Sequence, residues 1–307
     1  MKSIAVPHPR RAAATRAAWT SLIGGWAVRV VLAAAALSML VPFYWMVTTS
    51  LKPNSQVFAY PPILVPHPLM FSNYAQALVT SANFAQYFAN SLIYALTHTL
   101  GQIVFSTLAG YAFARLRFRF KEPLFWFLLA TMMVPQQVTM VPLFLLLKHV
   151  PLVGGNDLLG NGGSGWINTW YGLVLPGVFG GGYNIFLVRQ FMRTLPRDLD
   201  DAARIDGCGE FRLFAQIIVP LSKPVIAVLA LFTFQGAWND FLWPLIITTG
   251  ESLRTIQLGL LLFQADHTTQ WTLLMAAATV AVLPLLILFI FTQRYFVQGI
   301  ALTGTKG

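Results

Sequence analysis

His98 and Gln102 stand four residues apart in one apolar run, and Gln235 and Asn239 repeat that spacing in another, so each pair shares one face of a helix. Gln136, Gln137, Asn184 and Asp240 interrupt further apolar stretches. Together they offer amides, an imidazole and one carboxylate, which is the chemistry of hydrogen bonding to a polar solute along a path. The same amides equally serve hydrogen bonds between helices, and Asp240 equally serves as a cap or in an ion pair. Groups that break bonds are not assembled. His8, His67, His98, His149 and His267 have no metal-ligand spacing, the lone Cys208 excludes an intramolecular disulfide, and no cluster of nucleophile, base and metal ligands emerges. No Gly-x-x-x-x-Gly-Lys-Ser/Thr sequence is present to cradle a nucleotide's phosphates, since Lys306 is followed only by Gly307.

The elements that must position these residues follow from composition. Of 307 residues, 56% are hydrophobic and 10% charged, against about 25% charged in an ordinary soluble domain. So apolar a chain leaves little for a polar exterior, which excludes most soluble enzymes. A crossing of the hydrocarbon layer takes about 20 apolar residues. Six runs meet that length, at 30–49, 91–113, 123–146, 170–188, 223–247 and 272–293. The expected fold is therefore all-α and integral to a membrane, with a six-helix domain at 30–293 between an N-terminal arm (1–29) and a C-terminal tail (294–307). The first run continues through Pro42, Phe43, Tyr44 and Trp45 without a small-x-small cleavage site, so it reads as an uncleaved helix.

Net charge is +10, with the basic residues in short breaks between apolar runs. That placement marks membrane topology rather than a nucleic-acid surface. Alternate loops hold seventeen Lys and Arg on one side and only Lys52, Lys148 and Arg254 on the other, which puts both termini in the cytoplasm. Outside, residues 50–90 are proline-rich with a short helix expected after Ser72, and 150–169 form a glycine-rich loop. Pro135 and Pro142 are expected to disrupt the third span, and Gly180 to Gly182 to loosen the fourth.

The longest cytoplasmic loop, at 196–220, lies between the fourth and fifth spans. Residues 198–205 suit a short helix, because acidic residues fill its first turn, Ala202 and Ala203 make it narrow, and Gly207 follows as a stop. Taken alone, it is a solvated helix-turn, with Asp201 and Asp206 pairing to Arg197 or Arg204. Its spacing, however, resembles the EAA loop of ATP-binding-cassette import permeases. Asp201-Ala202-Ala203 is followed by Gly207 and then by Ile217-Ile218-Val219-Pro220, with Asp201 in place of Glu and Val219 in place of Leu. The resemblance implies a coupling helix between spans 4 and 5 that docks into an ATPase subunit through Asp201, Ala202, Ala203, Arg204, Asp206 and Gly207.

Three further stretches are similar to the smaller, six-helix subunit of the maltose-type sugar permeases. They are Asn73-Tyr74 with Asn90-Ser91, the run from Trp238 to Pro244, and the tail from Arg294 to Gly299. That resemblance implies a second permease subunit as partner, an ATPase dimer carrying ATP and Mg, an external solute-binding protein, and a place in a prokaryotic inner membrane. It implies no cofactor on this chain, and makes residues 299–307 a second ATPase contact. Trp238, Trp243 and Trp271 suit stacking on a sugar ring but read better as interfacial anchors. Rival readings are import of another solute such as glycerol phosphate or a peptide, and an ion-driven carrier with Asp240 as its coupling acid. Apart from Lys223 at the very start of the fifth, Lys and Arg are missing from the spans, which favours a neutral solute.

Overall fold

The computed structural model describes residues 10–80, 83–264 and 269–303, with side chains over 26–79, 83–264 and 269–295. The expectations for Lys2, His8, His267, Lys306 and a tail contact at 299–307 fall outside these side chains. Its principal helices are α1 (Arg10–Ser50), α2 (Phe84–Arg115), α3 (Lys121–Thr131), α4 (Gln136–Lys148), α5 (Trp170–Val178), α6 (Gly182–Thr194), α7 (Asp198–Ile205), α8 (Lys223–Trp238), α9 (Leu242–Ile247) and α10 (Trp271–Thr303). Among the described residues four spans are long and apolar enough to cross a membrane. There are six if α3 with α4, and Glu210–Leu221 with α8, each count as one.

Three of the expected spans are broken. The third bends by 98° between α3 and α4. Pro135 stands at that break with extended backbone, where it lacks an N–H and biases Val134 out of helix. Pro142, expected to disrupt the same span, lies inside α4 and does not end it. The fourth is interrupted between α5 and α6, where Phe179 and Gly181 are extended. The fifth stops at Trp238 and resumes only at Leu242, so the run 223–247 is two helices rather than one. Its N-terminal end is longer than expected, because 210–221 is also helical and meets α8 at 76°.

The bundle is organised around α2, which packs against α5, α6 and α8. Gly101 and Gly110 permit close approach: a Cβ would collide with a Val178 methyl at the first and sit 2.6 Å from a Val188 methyl at the second. One buried cluster, centred on Tyr94, Phe234, Trp238, Trp243 and Ala276, fills one end of the bundle. A second, with Tyr111, Ala114, Val188, Met192, Ala203 and Leu213, fills the other end and includes one face of α7. α1 is exposed along 26–45 and packs along α10, as suits a helix whose run from Val30 to Val47 is almost wholly apolar and faces lipid.

The Asn73 and Asn90 stretches pin the loops at that first end. Asn73 donates to the carbonyls of Ser50 and Lys52 at 2.8 and 2.9 Å, and Tyr74 shares a 2.7 Å hydroxyl bond with Ser50. Fully buried beside this knot, Lys52 holds Nζ 4.2 Å from the Trp45 ring centroid, and burial pushes its pKa down. Asn90 donates to the carbonyls of Ser252 and Arg254 at 2.8 and 2.9 Å, while Ser91 Oγ accepts from Ile256 N. Replacing Asn90 by Ala strands the Arg254 carbonyl, while Gln86 still donates to that of Ser252 at 3.1 Å, and is expected to cost about 1–3 kcal/mol, the usual penalty for a buried group left unpaired. Thermal unfolding in detergent checks this; a midpoint equal to that of the parent would show the contacts to be dispensable.

Candidate functional site

The breaks in spans three, four and five surround a cavity of about 930 Å³. Each break frees backbone and brings a polar side chain to the wall, an arrangement tolerated within a membrane only where it faces protein or a wet cavity. His98, Gln102, Gln136, Asn184 and Asp240 all line it. Gln137 and Asn239 instead line a smaller adjoining space of about 250 Å³, which shares Gln136 and Asp240 with the first. Gln235 lines neither and is exposed. It lies within α8, which turns it away from the cavity, while Asn239 stands just past the helix end with its N–H bonded to the Gln235 carbonyl at 3.1 Å.

Asp240 sits where the fifth span breaks. One carboxylate oxygen accepts from Tyr94 Oη at 2.9 Å, and the other accepts from Trp243 N at 3.3 Å, which caps the first turn of α9. Among the described residues no Lys or Arg pairs with it. Its two bonds leave lone pairs on each oxygen for a further donor.

Gln102 has a different task. Its amide donates to the carbonyls of Gly177 and Phe179, and its oxygen accepts from Gly181 N at 3.0 Å and from Asn184 at 2.8 Å. Both donors and both principal lone pairs are thereby used on the fourth-span break. Gln102 borders the cavity but spends its hydrogen bonds on positioning. His98 abuts Gly177, and its Nδ1 is buried with no hydrogen-bond partner among the described residues.

The remaining wall includes Thr131, Thr139, Tyr183 and Thr233, hydroxyl residues too common in apolar runs to stand out in the sequence. Trp238 and Trp243 are not interfacial anchors. Both are at least 95% buried, and their indole N–H groups bond to the carbonyls of Ala281 and Leu173. Trp271 is partly exposed and meets Phe58 edge to face.

On the other side, α7 forms over Asp198–Ile205 with Asp198, Asp200 and Asp201 in its first turn, where the backbone N–H groups favour negative charge. Gly207 ends it at φ +76°, with Gly207 N bonded to Arg204 O and Cys208 N to Ala203 O. A Cβ at 207 would meet nothing within 4 Å, so backbone angle rather than space calls for glycine. Asp201, Ala202, Arg204 and Asp206 are exposed, whereas Ala203 is 6% exposed and packs into the inner core of its own chain. Ile205 and Phe211, unremarkable in sequence, are 86% and 77% exposed beside them. The outward face is thus apolar with a charged rim.

Buried polar contacts hold the opposite face. Arg115 and Asp200 pair at 3.1 Å with side chains 2% and 6% exposed, and Arg115 also donates to the carbonyls of Met192 and Leu195. Tyr111 donates to Glu210 at 2.7 Å, and Arg204 donates to the same carboxylate at 2.9 Å. Arg204 and then Tyr111 hold the Glu210 carboxyl below the usual range, so this contact is fully formed at neutral pH and weakens only as pH falls through that lowered value.

Comparison with known proteins matches this architecture. Residues 102–302 fit the family model described as "Binding-protein-dependent transport system inner membrane component". The chain is 32% identical over 274 residues to an arabinooligosaccharides transport system permease protein, AraQ, of Bacillus subtilis, covering 89% of this chain and 92% of the relative. It is also 32% identical over 278 residues to an sn-glycerol-3-phosphate transport system permease protein, UgpE, of Yersinia pestis, covering 88% and 94%. A chain in the crystal structure of a bacterial ABC transporter involved in import of the acidic polysaccharide alginate superposes with a TM-score of 0.76 at 22% identity, covering 95% of this chain and all of that one. This protein belongs to the binding-protein-dependent transport family of inner-membrane permease components, whose members are transport subunits rather than enzymes.

Proposed function

We propose that the chain is one permease subunit of an ATP-driven importer for a neutral, hydroxyl-rich solute, a sugar or oligosaccharide. It works beside a second permease subunit, takes its solute from an external binding protein, and is driven by an ATPase dimer that carries ATP and Mg. Both termini lie in the cytoplasm of a prokaryotic cell whose inner membrane holds the complex. The observation that carries this reading is the exposed apolar face of α7, anchored from behind by buried polar contacts and presented where the basic loops gather. Asp201, Ala202, Arg204 and Asp206 rim that face, and Ile205 and Phe211 fill it.

The cavity supports the choice of solute. Among the described residues, its one carboxylate and its amide and hydroxyl groups suit sugar hydroxyls, and no Lys or Arg lines it. A phosphate-bearing solute, favoured by the likeness to the glycerol-phosphate relative, would meet Asp240 without a compensating cation.

Purification from the native membrane in detergent, with bound proteins identified by mass and the eluate assayed for ATP hydrolysis, tests the assembly. Recovery of a second permease and an ATPase is expected. Isolation of the chain alone, able to move solute on an ion gradient after reconstitution, would replace this reading with the carrier.

A further inference from the structure

Among the helices able to cross the membrane, α2 is the one continuous rod free of internal proline. α1 contains Pro42 and α10 contains Pro284, the fourth span holds Pro176 and a break, and the third and fifth are bent by 98° and 76°. Both covalent routes from α7 into the bundle are interrupted. On one side lie Leu195 and Pro196, followed by the Phe179–Gly181 break beyond α6; on the other lie the π-helical turn Phe214–Ile218 and the bend at Ser222. Prolines, π-turns and helix breaks are where helices flex.

We propose that α2, rather than either span joined to α7, carries the movement of α7 to the cavity. Its cytoplasmic end grips the docking segment twice, through Arg115 on Asp200 and Tyr111 on Glu210. Measured from Arg115 at 1.5 Å per residue, the same helix grips the fourth-span break through Gln102 about 20 Å away and the fifth-span break through Tyr94 on Asp240 about 32 Å away, two of the three breaks that wall the cavity. A displacement of α7 therefore reaches Asp240 and the Gly177–Gly181 backbone along a single rigid element. Arg115, Tyr111, Gln102 and Tyr94 are its positioning residues.

This rests on the reading of α7 as the ATPase contact. The test uses the complete transporter in proteoliposomes and the variants Tyr111→Phe, Asp200→Asn and Asp200→Glu. A fourth variant, Val104→Gly with Leu108→Gly, softens the middle of α2 at two exposed positions without touching either grip. Solute uptake per ATP hydrolysed is measured alongside ATPase capture. A cysteine at Thr139 on the cavity wall, in a Cys208→Ser background, reports nucleotide-dependent access to a maleimide.

Capture and hydrolysis are expected to stay within about twofold of the parent, while uptake per ATP falls about tenfold in Asp200→Asn and about threefold or more in Tyr111→Phe and the glycine variant. Asp200→Glu should restore much of it, and nucleotide should no longer change labelling at 139 in Asp200→Asn. Unchanged coupling in the glycine variant would overturn the inference, as would a parallel loss of capture and uptake in Asp200→Asn, since the pair would then only shape the docking face. A parent chain that captured no ATPase would overturn the importer reading and this inference with it.

Discussion

Ile205→Asp is expected to cut capture of the ATPase subunit about thirtyfold or more while leaving this chain folded. Ile205 is 86% exposed at the end of α7 and adjoins exposed Ala202. A large apolar side chain held outward on a helix that is locked from behind is suited to filling a partner's pocket, and truncating such an anchor typically costs at least about 2 kcal/mol of binding. A carboxylate at that position adds the penalty of a buried unpaired charge. Because the side chain belongs to neither core cluster, the variant's own unfolding should shift by no more than about 0.5 kcal/mol. Ala203→Leu is the contrasting change. It overpacks the inner core beside Val188 and Leu213 and is expected to lower the melting temperature first. Capture on immobilised ATPase, read beside melting in detergent, separates the two. Wild-type capture by Ile205→Asp would remove α7 from the docking surface.

The difference between those two neighbours shows where the sequence stops being informative. The limits of α7 are legible because acidic residues load its first turn and Gly207 supplies the left-handed stop, both local signals. The break at Pro135 is legible for the same reason. Which face of α7 turns inward is not, because that depends on Arg115, which lies 85 residues before Asp200 in the chain. In sequence both are ordinary loop charges, and only the fold makes them a buried pair. Gln102 is a similar case. Its place on a polar face is visible from spacing, but its commitment to the fourth-span break depends on carbonyls and an N–H 75 to 79 residues away. The end of α8 at Trp238 is hidden by an apolar run that continues past it, and spacing shows that Gln235 and Asn239 share a face without showing that α8 turns Gln235 away from the cavity.

Asp240 is legible as the one acid in the spans, and the structure gives it a setting from which a large effect follows. Tyr94 Oη and Trp243 N fix the carboxylate, so it arrives at the cavity wall oriented and without a cation. Hydrogen bonds from solute hydroxyls to an oriented carboxylate contribute about 1.5–3 kcal/mol each, and every 1.4 kcal/mol is about tenfold in affinity. Asp240→Asn keeps the shape and an acceptor for Trp243 but loses the charge. Uptake of a neutral oligosaccharide by the complete transporter is therefore expected to fall about tenfold or more. The same change removes the repulsion that a phosphate or carboxylate solute meets at this wall. Uptake of an anionic competitor such as glycerol phosphate should hold or rise, so that the ratio of the two shifts further than either rate. Gln235→Ala, on the exposed side of α8, supplies the control and should leave both rates unchanged. If Asp240→Asn lowered the two uptakes in equal proportion, the carboxylate would be holding α9 in place rather than selecting the solute. If neither changed, the solute would pass without touching this wall, and selection would rest with the partner subunit and the binding protein.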